Sequence, residues 1–419
     1  MSAVVDSYRD DMDVSYAVDF SRDREPAKKR SRFPEYRRSG TAPTRVNGMH
    51  CRRSKRWTWG TGRGARMQNV RAFAGCLALA LASVSTSVLG VTIDFTPVNN
   101  AGNLANPATG LGAVSSLFNI SKYETTNSQY AEFLNSVDAA GTNPNSIYQP
   151  SAIISGSTIF NPITFNAGGS SGAKYSVGGG SSSQPVTFVT WFSAARFANW
   201  LNNGQQANAA SMETGAYTLN NQTAGAAVPR NAGASVFLPS ANEWTKAAYY
   251  NGGNTNYRTY PYVGGASQVP VAVTTGTGVS GNNAANYGLA QGRTTGLTNV
   301  GLYSASKSWY QLYDAFGNAG EFTETASPTF PADRVMLLGS SWRLGTGATG
   351  NWTSNSANNN YLTASFSDSI GFRVAAVPEP ATIALAGVGI TSLAALDWMK
   401  RRKKKAAAQQ AMLAQPTVS

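Results

Sequence analysis

Between residues 91 and 377 the chain contains neither a cysteine nor a histidine. That gap removes whole classes of fold and chemistry. No disulfide can staple the segment and no zinc site of Cys/His type can nucleate it. No Cys nucleophile or His-centred triad can act from it either. Its stability must come from a hydrophobic core, and 42% hydrophobic residues over the whole chain are enough for one. A length of 419 residues leaves room for two or three average domains, or one large domain with extra terminal segments. Any metal in the segment has to be held by oxygen, which favours calcium or magnesium. The only cysteines, Cys51 and Cys76, and the single His50 all precede it.

Charge is divided along the same boundaries. The formal net charge of +13 suggests, taken alone, a nucleic-acid partner. Residues 91–377, however, carry 11 basic and 11 acidic side chains and are neutral as a whole. The excess sits at the ends, with 17 basic against 8 acidic residues in 1–71 and 6 against 2 in 378–419. A neutral body has no large field with which to steer a polyanion, so no nucleic-acid partner is expected. A nucleic-acid-binding arm at 1–66 is the competing reading, although charge runs are more often simply solvated.

The ends read as addresses. Residues 72–90, AFAGCLALALASVSTSVLG, follow Arg71 with a short apolar run and then small residues, the layout of a secretory signal peptide. A start at Met67 gives it a normal basic n-region, so 67–90 is taken as the signal peptide. Residues 1–66 then form a disordered basic leader or an over-extended gene start. Near the other end, the apolar stretch from Ala381 to Leu396 is followed by Asp397-Trp398-Met399 and KRRKKK at 400–405. Such a run is slightly short for a membrane span, with the basic cluster held on the cytoplasmic face. Val377-Pro378-Glu379-Pro380 stands just before it. PEP, an apolar helix and a basic cluster, in that order, resemble the PEP-CTERM sorting signal of exported bacterial proteins. The resemblance implies processing by exosortase-type sorting machinery, and an ordinary C-terminal anchor is the alternative. The expected organisation is therefore a body at 91–377, a sorting signal and transmembrane helix at 378–405 and a short tail at 406–419. The protein is expected to be exported and held in the membrane through 381–399. It is then expected at the cell surface or in the extracellular matrix.

Within the body, three helices are predicted from local signals. Thr126-Asn127-Ser128-Gln129 forms a capping-box pattern ahead of Tyr130, Phe133, Leu134 and Val137, which share one helical face. A second helix starts near Thr190, burying Ala194, Phe197, Ala198 and Leu201 before Gly204 ends it. Ser240-Ala241-Asn242-Glu243 is a matching capping box that opens a third, with Trp244, Ala247 and Ala248 on its apolar face. Short β-branched or aromatic runs such as Ser235–Leu238 lie between Gly- and Asn-rich loops. The class is α+β.

The order of these segments carries a resemblance. ISKYETTNSQYAEFLN at 120–135, QPVTFVTWFSAARFANWLN at 184–202, FLPSANEWTKAAYYNGG at 237–253, YDAFGNAGEFTE at 313–324, LGSSWR at 338–343 and SIGFRVA at 369–375 follow one another. Together they resemble the successive motifs of the formylglycine-generating, or sulfatase-modifying-factor, family. The resemblance implies an irregular, loop-rich α+β fold related to C-type lectins. Family members include the copper oxidase that makes formylglycine and histidine-dependent iron enzymes. The copper cysteines would follow Trp342, where this chain reads RLGTGATGNWTSN, and no histidine is present to hold iron. No copper or iron site is therefore expected.

The resemblance also implies calcium. Asp314 and Glu321 would contribute carboxylates, and Gly317 and Ala319 backbone oxygens. The alternative is a plain turn capped by Asp314, with Glu321 meeting Arg343 or Arg373. A second calcium site would use Asn286 and the Tyr287 carbonyl, although Arg293-Thr294-Thr295-Gly296-Leu297 supplies no closing acid. Trp191, Trp200, Trp244 and Trp342 are expected in the core. Tyr249, Tyr250, Tyr257, Tyr260 and Tyr262 are a candidate surface for stacking sugars. The expected function is an exported binding or structural module, directed to polysaccharide or another envelope component. The alternative is a divergent formylglycine-generating-type oxidase acting outside the cytoplasm.

Overall fold

The helices begin at the hydroxyl side chains the sequence offers. The computed structural model describes residues 90–378 and 402, apart from 155–156, 253–255, 264–268, 274–280, 289–295 and 344–359. The leader at 1–66, the signal peptide at 67–90 (all but Gly90), the apolar run at 381–396 and the tail at 406–419 lie outside the described residues. Helix α1 (Asn127–Val137) has a complete capping box. Gln129 N–H donates to Thr126 Oγ1 at 3.3 Å, while Gln129 Oε1 accepts from the Thr126 N–H at 2.9 Å. Thr190 caps α2 (Trp191–Asn202) by accepting from the Ser193 N–H, and Gly204, at φ 70°, follows its end. Ser240 and Glu243 exchange the same reciprocal pair at the start of α3 (Ala241–Tyr249).

The strands are short. In chain order they are β1 (Phe95–Val98), β2 (Phe118–Ser121), β3 (Ser151–Ile154), β4 (Ser157–Phe160), β5 (Ile163–Phe165), β6 (Tyr175–Val177) and β7 (Val236–Phe237). After α3 come β8 (Val271–Ala272), β9 (Ala284–Ala285), β10 (Gly320–Ala326), β11 (Arg334–Leu338), β12 (Asn360–Leu362), β13 (Ile370–Phe372) and β14 (Ala375–Ala376). Two four-stranded sheets, ordered β1-β2-β14-β7 and β12-β11-β10-β13, carry the body. In the first, β14 lies between β2 and β7 and pairs Ala375 with both Ile120 and Phe237, so the last strand closes on the first ones. In the second, β10 pairs antiparallel with β11 and parallel with β13. Ribbons β3–β4, β5–β6 and β8–β9 stand as separate pairs. This is the loop-rich α+β architecture that the motifs imply.

An aromatic cluster fills the space between helices and sheet. The Phe133 ring of α1 lies 5.6 Å from Phe197 and 5.5 Å from Trp200 on α2, and Phe372 of β13 is 5.4 Å from Phe197. Aromatic pairs of this kind contribute about 0.5–1.5 kcal/mol each beyond area burial. One expectation is corrected. Helix α2 does not present a single apolar face, because every residue from Trp191 to Trp200 is buried. It packs against β7 and the turn at Ala209–Met212, with Arg196 sealed inside by a 2.6 Å ion pair to Glu213. A second correction concerns the tyrosines. Tyr249, Tyr250 and Tyr262 are core residues, Tyr257 packs edge-on to Tyr250 at 5.2 Å, and Tyr260 packs against Phe316. Half-buried Tyr257 donates its hydroxyl to the Leu104 carbonyl. The buried rings of Tyr249, Tyr250 and Tyr262 offer no free face to a sugar, while Tyr257 and Tyr260 stay half-buried.

Candidate functional site

The segment from Asp314 to Glu321 folds as a tight turn entering β10. Asp314, Gly317 and Asn318 all have positive φ, at 53°, 89° and 59°. At Gly317 a Cβ would stand 2.3 Å from the Asn286 carbonyl oxygen, so only glycine fits.

Around this turn the structure gathers more charge than the motif alone suggested. Glu321 and Arg373 are both fully buried, with Nε and Nη2 of Arg373 at 2.5 and 2.6 Å from the two carboxylate oxygens. Trp244 Nε1 donates to the same carboxylate at 2.7 Å. The other Arg373 donors go to the carbonyls of Ser121, Lys122 and Tyr313. Glu124, which sequence reasoning missed, joins from beyond β2. Buried to 1% exposure, it accepts from Asn318 Nδ2 at 3.0 Å and the Ala319 N–H at 2.9 Å. Burial pushes its carboxyl well above the usual range, and the charges of Asp314 and Glu321 push it further, against the pull of Arg373. Asp314 accepts from the Gly301 N–H at 2.6 Å, and burial raises its carboxyl to about 6 although that hydrogen bond and Arg373 oppose the shift.

These contacts bear on calcium. Both oxygens of Glu321 accept from Arg373 or Trp244, so a cation at the Asp314, Gly317, Ala319 and Glu321 turn would share Glu321 with the Arg373 guanidinium. Among the described residues no group of three or more Asp, Glu, His or Cys gathers as a metal site. Asn286 is different. Its Nδ2 donates to the Gly296 carbonyl and to Asn318 Oδ1, but its own Oδ1 is buried with no partner. A buried, unpaired oxygen fits a hard cation. The neighbouring Tyr287 donates its hydroxyl to the Pro270 carbonyl at 2.8 Å.

Asn318, also missed from the sequence, ties the cluster to a pocket. Its N–H donates to the Asn286 carbonyl at 2.7 Å, and its own carbonyl accepts from the Trp342 N–H at 2.9 Å. Its Oδ1 accepts from the Thr298 N–H at 2.9 Å. Trp342 and residues 296–299 line one wall of that pocket, whose volume is about 650 Å³. The end of β4, residues 179–181, Gln184 and Thr187-Phe188 also line it. Among the described lining residues Asp368 is the one ionisable group, and Arg343 holds both of its oxygens while stacking 4.5 Å over the Trp342 ring. The expected core tryptophans Trp191, Trp200 and Trp244 are buried, and Trp342, also buried, borders this pocket.

Comparison with known proteins places these features in a family. The model of the sulfatase-modifying factor enzyme 1-like domain matches residues 98–377, and that of the PEP-CTERM protein-sorting motif matches 376–403. The sorting motif implies export and recognition by exosortase-type machinery. Among the described residues no helix is long and apolar enough to cross a membrane. No curated protein matches the sequence. Among solved structures, CarF is 18% identical with a TM-score of 0.42, covering 69% of this chain and 99% of its own. Treponema denticola variable protein 1 is 18% identical with a TM-score of 0.41, covering 70% and 98%. PvdO from Pseudomonas aeruginosa is 18% identical with a TM-score of 0.38, covering 68% and 91%.

Proposed function

Because the chain belongs to the sulfatase-modifying-factor family, with its irregular α+β fold related to C-type lectins, we infer that it is an exported module that keeps the family scaffold for binding rather than for oxidation. The observation that carries this reading is the lack of any cysteine or histidine from residue 91 to 377. Copper and iron oxidases draw their soft or borderline ligands from those side chains, and the 11 acids of the segment are mostly engaged or scattered. The sorting motif directs such a module outward, where polysaccharide or another envelope component is its partner. Anchoring through 381–399, followed by cell-surface or matrix residence, completes the reading. Metal analysis of protein purified after growth with added copper and iron is the test. The reading expects neither metal in stoichiometric amount, and one tightly held copper or iron per chain contradicts it.

Calcium belongs to the same reading, at Asn286 and the Tyr287 carbonyl. The orphaned Asn286 oxygen supports it. Each kcal/mol of calcium binding raises the melting temperature by about 2–4 °C in a domain of this size. Millimolar calcium is therefore expected to raise Tm relative to a chelator in the wild type and not in Asn286→Ala. Equal melts in both conditions remove the ion from the account.

A further inference from the structure

Two neighbouring residues in the pocket are each held at a cost to the fold. The side chain of Thr187, in a residue only 1% exposed, has a buried hydroxyl with no hydrogen-bond partner. Leaving a buried hydroxyl unsatisfied destabilises the fold. Phe188, next in sequence, sits at φ 59°, in the left-handed region that a bulky side chain rarely enters. Its N–H is pinned to the Ser367 carbonyl at 2.9 Å, which fixes the strained conformation. Strain of this kind destabilises the fold and collects at ligand sites. Neither feature helps the protein fold, and both border one cavity.

The chemistry of the cavity selects its occupant. Among the described lining residues the one ionisable group, Asp368, is already paired with Arg343, so these residues offer neither an anion nor a cation an unpaired charge. What the walls do offer is neutral hydrogen-bonding capacity from Ser181, Gln184, Thr187 and Asn299, beside aromatic surface. Phe160, at the end of ribbon β3–β4, stands at the rim and is 73% exposed. The volume of about 650 Å³ falls within the range of small-molecule sites. A sugar matches this set. Its hydroxyls both donate and accept, which suits an unpaired threonine hydroxyl and side-chain amides, and its C–H face packs on an aromatic ring.

We propose that the pocket bounded by Thr187, Phe188, Trp342 and Phe160 binds a neutral oligosaccharide, with Thr187 as a hydrogen-bonding partner and Phe160 as a stacking platform. The proposal rests on the binding-module reading and sharpens it to one site and one ligand class. Isothermal titration of the full-length purified protein tests it, with neutral glucan, galactan and mannan trisaccharides, oligouronates of equal length and short peptides as probes. At least one neutral trisaccharide is expected to bind saturably. Thr187→Val should weaken that binding about tenfold, since losing one such hydrogen bond costs on the order of 1.5 kcal/mol. Phe160→Ala, at an exposed ring, should weaken it several-fold with an unchanged melting temperature. Trp309→Ala, an exposed ring outside the lining, should leave it unchanged. Failure of every neutral trisaccharide to bind, binding only of oligouronates or peptides, or neutral binding indifferent to both pocket variants overturns the proposal. None of those outcomes touches the wider reading, which fails separately if the same preparation holds redox metal.

Discussion

Asn318 shows how one uncharged side chain can organise a site built from charges. It donates to Glu124, accepts from Thr298, and through its backbone holds Asn286 and Trp342. Asn318→Ala leaves Glu124 and Thr298 short of buried partners and should cost about 2–4 kcal/mol in chemical denaturation. Arg373→Met should cost about 3–5 kcal/mol, because it strands Glu321 as an uncompensated buried charge. Adding Glu321→Gln to that variant should recover part of the loss. Lys246 carries a pH signature. It is fully buried, donates to the Asn100 carbonyl at 2.9 Å, and burial lowers its ammonium to about 8 from 10.5. Between those two values the unfolded chain holds the proton and the folded one does not, so this residue makes stability rise with pH across that window. The rise is on the order of 3 kcal/mol. Denaturation profiles of wild type and Lys246→Met should therefore converge as pH climbs from 8 to 10.5, with the variant the more stable at pH 7. Asp314 and Glu321 were legible from their motif. Glu124 was not, because nothing in local spacing reveals that a residue so far along the chain faces the same turn. Asn318 did carry a signal, since it sits in the same YDAFGNAGEFTE segment as those two acids.

Local rules governed the starts of the elements and tertiary rules their surroundings. The Thr126 and Ser240 capping boxes and the Thr190 cap stand where the sequence placed them, because capping depends on residues three apart. Ser240→Ala should accordingly cost about 1 kcal/mol, read as a shift in denaturation midpoint without a change in slope. What surrounds a helix is a different matter. The 3.6-residue pattern of α2 suggested one buried face, yet Arg196 and Asn199 are as buried as Phe197 because distant segments supply their partners. Strands of two to four residues leave almost no period to detect, and β14 is defined by pairing with Ile120 and Phe237 from remote parts of the chain. The positive φ of Phe188, which marks the pocket, has no sequence signature at all.

At the scale of the molecule, charge and function are separated. The positive excess lies in the terminal segments, and the domain at 98–377 is close to neutral. Several of its few charges, Glu124, Arg196, Glu321 and Arg373, are spent inside the fold. Deleting residues 378–405 should leave the folded domain intact while abolishing its retention at the cell surface, as measured by fractionating cells and medium. The family scaffold was legible because six short motifs keep their order over residues 120–375. The pocket was not legible, since its described lining is assembled from distant residues that look ordinary one at a time. The most direct test of the central claim is incubation of the purified protein with a sulfatase-type cysteine peptide, oxygen and added copper or iron. Mass spectrometry of the peptide then gives the answer. Unchanged cysteine is the predicted result, and conversion to formylglycine over repeated turnovers contradicts it.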